Sequence, residues 1–448
     1  MEVTRTLARY VATSHIADVP LAVRHEATRS LVNWLGCALG GSRHAAVCLA
    51  LDALQEFAGP PQASVIGRCE RLDSLHAALI NGMSAHVLDF DDTHLRTLLH
   101  PSVPVASSLL ALAERRPLSG QDFLHAFVLG VEVECRVANA IYFAHNVDWY
   151  ITGTAGVFGA AAAAGRVLGL DERKMTWAFG IAATQAAGLR EMAGTMCKSF
   201  THGRAAQNGM TAALLAAAGF TSSEQAIEAP RGFVHVLAAD CNLDAITAGL
   251  GETFEISSNT YKPYACGVVC HPAIDGCLHL RSQDSLGPGQ ISAVALRVHP
   301  LALKLTGIKV PQCGLESKWS LYHSAAAALV DGAAGEHQYT DERVRDPVVS
   351  RLRECIAAEA DPGLREDEAY VAITLRDGRI LQQHVEHALG SIDHPLSDRE
   401  LECKFLALAE GVLPQAQINA LIERCWRVAS LDDVADLARM AVPARILQ

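Results

Sequence analysis

Apolar residues recur at intervals of three and four along most of the first 260 positions, and that periodicity predicts a succession of helices. Val3, Leu7, Tyr10 and Val11 fall on one such stripe. The stretch 1–20 therefore reads as a first helix, and Glu2 and Asp18 beside its arginines do not suit a targeting peptide. Further helices are predicted over 103–115, 121–141, 171–187 and 205–220, separated by short Gly, Pro or Asp turns. Asp171 is placed to cap the helix that follows it, because its carboxylate can accept the free amide hydrogens of the first turn. The most apolar run, 155–170, is broken by Gly156, Gly159, Gly165 and Arg166 and is shorter than the ~20 residues of a membrane span. It reads as a buried helix. Abundant Ala and Gly let helix axes approach closely, so a tight bundle is expected.

The texture changes after about residue 265. Ile291–Val298 alternates like a strand, and 370–375 and 379–385 flank Asp377-Gly378 like a hairpin. Ser397-Asp398-Arg399-Glu400 has the form of a capping box, with Leu401, Phe405, Leu406 and Leu408 behind it. The expected architecture is mainly α: a large all-helical domain over 1–265, an inserted smaller α+β domain over 266–396, and C-terminal helices over 397–448 that return to the helical domain. The stretch 331–340 is the least regular.

Composition sharpens this picture. Half of the 448 residues are apolar but only 6% are aromatic, so Ala, Leu and Val must build the core. The net charge of −12 repels phosphate backbones and anionic headgroups, which argues against nucleic acid and membrane surfaces as partners. An anionic ligand would need a local basic island. The 13 cysteines, an odd number without a secretory leader ahead of them, read as reduced thiols of a cytoplasmic enzyme.

Three polar clusters carry candidate chemistry. The first is Asp89-Phe90-Asp91-Asp92-Thr93-His94 with His100-Pro101-Ser102. Its carboxylates and imidazoles cannot all be buried unpaired, so they form either a solvated loop or a site, and the apolar flanks pull them inward. Asp-x-Asp-Asp also resembles the acid motif of terpene cyclases, but this chain is poor in the rings that stabilise carbocations. Magnesium would find hard oxygen ligands here, yet no second carboxylate cluster completes such a site. The second cluster brings Arg190, Lys198, His202 and Arg204 together just before the helix expected from Ala205, a favourable place for a carboxylate. The third is Tyr261-Lys262-Pro263-Tyr264-Ala265-Cys266, followed by Cys270-His271 and Cys277-x-His279. That spacing matches no zinc finger, so no metal is assigned. Lys262 is either a proton acceptor, an anion clamp or a solvent-facing side chain. There is no G-x-S-x-G elbow, Walker A loop or H-E-x-x-H. Gly153-x-x-Gly156-x-x-Gly159 lacks a preceding strand and is better explained by helix packing.

These clusters, in this order, resemble the MmgE/PrpD family. The similarity runs from His86 through Asp92-Thr93 and His100-Pro101-Ser102, then Trp149 to Thr154, Gly194-Thr195-Met196 to Gly203-Arg204-Ala205-Ala206, Tyr261-Lys262-Pro263-Tyr264 and Asp377-Gly378-Arg379. The resemblance implies that the α+β domain is a lid over a cleft, that the protein is a homodimer, and that it acts without metal or organic cofactor on a small polycarboxylate. Family members act as 2-methylcitrate dehydratases, cis-aconitate decarboxylases or an iminodisuccinate epimerase. Asp89, Thr93, His100, Lys198 and Lys262 fall on family active-site positions. One position departs: decarboxylases and dehydratases typically read Trp-His-Pro-Thr where this chain has Trp149-Tyr150-Ile151-Thr152. The segment around Trp319 also differs.

Removing a proton beside a carboxylate leaves an enolate-like anion that cationic groups must stabilise. Lys198, Lys262, His100 and Arg204 are the candidates, with Thr93, Arg190 and His202 in substrate-binding positions. A dehydratase also needs a proton donor for the departing hydroxyl, a task that suits the missing imidazole. The expectation is therefore an isomerase, an epimerase or racemase in which Tyr150 and a lysine work on opposite faces of the substrate. A dehydratase-like or decarboxylase-like lyase is the alternative, and a non-catalytic anion-binding protein is the second.

Overall fold

The N-terminal stripe forms the helix Val3–Thr13 and buries Val3, Thr4, Leu7, Ala8 and Val11. In this computed structural model, which describes residues 2–145 and 149–443, mainly α structure is the result: 58% is helical. Asp171 accepts a hydrogen bond from the Lys174 amide and starts the helix Glu172–Ala183 as expected. The capping box at Ser397 opens Asp398–Ala409, with Ser397 Oγ accepting from the Glu400 amide. That helix lies along Leu21–Gly41, where Gly36 meets Phe405 and Gly40 meets Leu408.

The apolar run becomes the helix Ile151–Val167, whose residues 151 to 165 are all buried. It packs between Gly120–His145 and Cys197–Ala217. A Cβ on Gly159 would lie 2.3 Å from the Glu134 carboxylate, so the glycine spacing does serve helix packing. No described helix is long and apolar enough to cross a membrane.

The helix expected from 205 starts at Cys197. Polar residues hid its first two turns, but they satisfy themselves on the helix. Ser199 Oγ donates to the Met196 carbonyl, Thr201 Oγ1 to the Cys197 carbonyl and His202 Nδ1 to the Lys198 carbonyl at 2.8 Å.

Later in the chain, Ile291–Val298 is the strand predicted. It pairs in parallel with Ile356–Ala360 and antiparallel with Ala369–Leu375, which pairs with Ile380–Val385. The Asp377-Gly378 turn closes that hairpin with Gly378 at φ +90°, a conformation glycine adopts without penalty. Alternate residues of Ala369–Leu375 are buried, and helix His271–Asp284 packs on the sheet. A two-stranded pairing of Thr93–His94 with Asn259–Thr260 joins the first and third polar clusters.

Glu134 is buried in the bundle with neither carboxyl oxygen hydrogen bonded. Burial, with the Asp92 charge adding to it, pushes its carboxyl well above the usual range. The folded state thus holds a proton that the unfolded chain releases above its ordinary value of about 4.3, so this group erodes stability as pH rises past that value. Glu134→Gln should gain on the native protein in melting temperature from pH 5 to pH 8. A difference independent of pH would show that Glu134 is charged in the fold.

Candidate active site

Asp89 follows helix Ser74–His86 and sits at φ +52°, a left-handed conformation that Asp tolerates better than most residues. There its Oδ1 meets two ammonium groups: Lys198 Nζ at 2.9 Å, from the first turn of Cys197–Ala217, and Lys262 Nζ at 2.7 Å, just after Asn259–Thr260. Lys262 also donates to the Asp89 carbonyl at 3.1 Å. All three side chains are buried. Burial alone would push the Asp89 carboxyl up, but Lys198 and Lys262 hold it well below the usual range.

Next to this group lie three imidazoles. The helices that carry His86 and His202 touch backbone to backbone, since a Cβ on Gly82 would be 2.8 Å from Gly203 Cα. That approach stacks the two rings at 3.4 Å between centroids and 13° between planes. His100 meets His86 edge-on at 4.7 Å. Every Nδ1 has an acceptor: the Asp91 carboxylate for His86, the Asp92 carbonyl for His100 and the Lys198 carbonyl for His202. Burial drives all three rings well below their usual pKa, and Lys198 adds to each. They are neutral, and the Nε2 atoms of His86 and His202 are buried and unpartnered.

Three imidazoles invite a metal reading, and the stack argues against it. An imidazole binds zinc within its own ring plane at ~2 Å. The nearly parallel planes of His86 and His202 do not meet near either nitrogen, so one ion cannot take both. Asp89 is already committed to two ammonium groups. In the third cluster, Cys277 is buried and His279 exposed, so these residues do not share a face either.

A narrow cleft is lined by His86, Asp89, Thr195, Lys198, Lys318 and Trp319, among others. Tyr150 precedes helix Ile151–Val167, held by its amide to the Gly188 carbonyl at 2.9 Å. Its ring is edge-on to His202 at 5.2 Å, with Lys198 Nζ 5.6 Å and the Arg190 guanidinium 5.5 Å from the ring centre. Burial pushes the Tyr150 phenol far above its ordinary value, so it is neutral. Thr93 is buried beside the cluster with its hydroxyl unpartnered.

The structure thus brings together Asp89, Thr93, His100, Tyr150, Lys198, Lys262 and His202, with Arg190 behind Tyr150. Arg204 does not join them. Because the helix starts at Cys197, Arg204 points outward, is exposed, and bonds Gln207 beside the Phe200 ring.

Two lysines went unnoticed in the sequence. Lys318 donates to the Leu88 and Ala265 carbonyls at 2.7 and 2.8 Å, and burial lowers it to about 8. Lys404 donates to the Phe90 and Lys262 carbonyls and to Asn33, and burial lowers it to about 8 as well. Lys404 shares a helical stripe with Leu401, Phe405 and Leu408, a visible signal that it faces inward. Nothing comparable marks Lys318.

Both parts of the chain match known families: residues 5–245 the MmgE/PrpD N-terminal domain and residues 264–428 the MmgE/PrpD C-terminal domain. The chain belongs to the MmgE/PrpD family. Among curated proteins it is similar to the cis-aconitate decarboxylase of Mus musculus, 28% identical over 403 residues, covering 86% of this chain and 82% of the mouse protein. The cis-aconitate decarboxylase of Homo sapiens is 27% identical over 445 residues, covering 95% and 91%. That of Aspergillus terreus is 25% identical over 473 residues, covering 98% and 95%.

These relatives overturn the isomerase expectation, because a decarboxylase is a carbon–carbon lyase. In the structure Lys198 Nζ lies 5.6 Å from the Tyr150 ring centre, and both Lys198 and Lys262 are paired with Asp89.

Proposed function

We propose that this protein is a lyase of small polycarboxylates and that it decarboxylates cis-aconitate or a close relative. The observation that carries the reading is the excess of ammonium groups at one carboxylate: Lys198 and Lys262 both pair with Asp89, and Lys318 lines the same cleft as Asp89 and Lys198, in a chain that is acidic overall. Names of the curated relatives favour carbon–carbon cleavage over dehydration. In this reading Thr93, Arg190 and His202 help to hold the substrate and Tyr150 forms part of its wall. As the carbon–carbon bond breaks, its electron pair passes into the unsaturated acid and carbon dioxide leaves. Lys198 and Lys262 stabilise the anionic charge that develops. His100, once it has taken a proton from solvent at Nε2, gives that proton to carbon.

We further propose that 266–396 is a lid over the helical domain of 1–265 and 397–448, and that the protein acts as a homodimer. Lys318 and Trp319 belong to the first of these segments and line the same cleft as Asp89 and Lys198. Incubation with cis-aconitate in deuterium oxide should release carbon dioxide and give an unsaturated dicarboxylate with one new carbon-bound deuterium, read by NMR. Elimination of water from 2-methylcitrate with no release of carbon dioxide would make the protein a dehydratase instead. No turnover of either acid would overturn the lyase reading.

A further inference from the structure

One buried carboxylate serves two imidazoles. Asp91 Oδ2 accepts from His86 Nδ1 at 2.8 Å and lies 3.3 Å from His100 Nδ1, which also donates to the Asp92 carbonyl at 2.9 Å. Asp91 is fully buried and its Oδ1 has no partner. Among the described residues no hydrogen bond reaches His100 Nε2, so that nitrogen is left for a ligand. We propose that Asp91 is a positioning residue for His100: while the Asp92 carbonyl keeps the hydrogen on Nδ1 and leaves Nε2 free, the Asp91 carboxylate 3.3 Å away supports the charged ring, and His86 weakens that support by competing for the same oxygen.

The inference rests on the lyase reading for its catalytic consequence but not for its geometry. To protonate the carbon left by carbon dioxide, His100 must first take a proton from solvent water at Nε2 and become an imidazolium; the Nε2–H bond then breaks, a C–H bond forms, and the ring returns to neutral. Positive charge on His100 is opposed by Lys262, by Lys198 on the Cys197–Ala217 helix, and by His86 on the Ser74–His86 helix. His202 packs against the ring from the same helix as Lys198, and Asp89 is paired with both lysines. Asp91 is the carboxylate that favours the charged ring most strongly. A carboxylate beside an imidazole stabilises its cation, and loss of the carboxylate in a Ser-His-Asp triad costs about 10⁴-fold in kcat.

Asp91 has two imidazole partners, so two substitutions should act in opposite directions. Asp91→Asn should lower kcat by ~10²–10⁴-fold with little change in KM and move the His100 limb of the pH–rate profile to lower pH by about 1–2 units. His86→Phe keeps a ring against His202 but frees Asp91 for His100 alone, so the limb should move to higher pH. The His100 ring, titrated by NMR in the full chain without substrate, should show the same opposite shifts. Shifts of one sign in both variants, or an unchanged ring titration, would overturn the proposal. If Asp91→Asn does not fold, the direction of the His86→Phe shift decides. An inactive native protein that still shows opposite ring shifts would sink the lyase reading and keep the Asp91 assignment.

Discussion

Asp89→Ala is expected to lower folding stability by ~3–5 kcal/mol at neutral pH, measured by urea unfolding. The loss strands Lys198 and Lys262, whose side chains are 8% and 3% exposed, without the carboxylate that both contact. The pH dependence has a defined sign. The native carboxyl is held well below the ordinary value of about 3.9, so its contribution is complete above that pH and is lost as pH falls through the native value. The gap between native protein and variant should therefore narrow in acid. A second comparison separates charge from backbone. Asp89 has φ +52°, a region that costs an alanine ~1–2 kcal/mol and a glycine almost nothing, so Asp89→Gly should be the more stable of the two variants. If Asp89→Ala unfolds at the native urea concentration, the two lysines do not depend on this carboxylate.

Where one local rule decides the structure, the residues announced it. The Asp171 cap, the Ser397 capping box and the Asp377-Gly378 hairpin each rest on a single backbone requirement that a few neighbouring residues meet. The start of the Cys197 helix is hidden because its first two turns are polar. Ser199, Thr201 and His202 are buried polar residues that bond to their own helix, and hydropathy does not distinguish these from a solvated turn. That eight-residue displacement also misplaced Arg204, which a helix beginning at Cys197 turns away from Lys198.

The meeting of Asp89 with Lys198 and Lys262 was legible from the order of the motifs, whereas the support behind them was not. Lys318 and Lys404 act through backbone carbonyls brought near by tertiary packing, and a carbonyl leaves no mark in a sequence. The reaction outcome was misread for another reason. The imidazole missing at Tyr150 argues against a lyase only where no other ring serves the site, and His86, His100 and His202 supply three within a few ångströms. Burial leaves the Tyr150 phenol neutral, which suits a wall or a hydrogen-bond donor better than a base.

Lys198→Met is expected to reduce kcat/KM for cis-aconitate by ~10²–10³-fold, the usual consequence of removing one group that stabilises developing negative charge. Stability should change little. Lys262 stays 2.7 Å from Asp89, so the carboxylate keeps a counter-charge, and methionine fills the lysine stem's space against the Trp319 ring, 4.6 Å from the lost ammonium. Lys262→Met should be harder to interpret, because that lysine also holds the Asp89 carbonyl and the strained turn around it. If Lys198 acts on charge that grows during bond cleavage, the loss falls mainly on kcat; if it merely holds a substrate carboxylate, KM rises and kcat is spared. Lys198→Arg should not restore the rate, since a planar guanidinium fork cannot reproduce a compact ammonium between Asp89 and Trp319. A methionine variant with native turnover would remove Lys198 from the reaction and leave it a purely structural partner of Asp89.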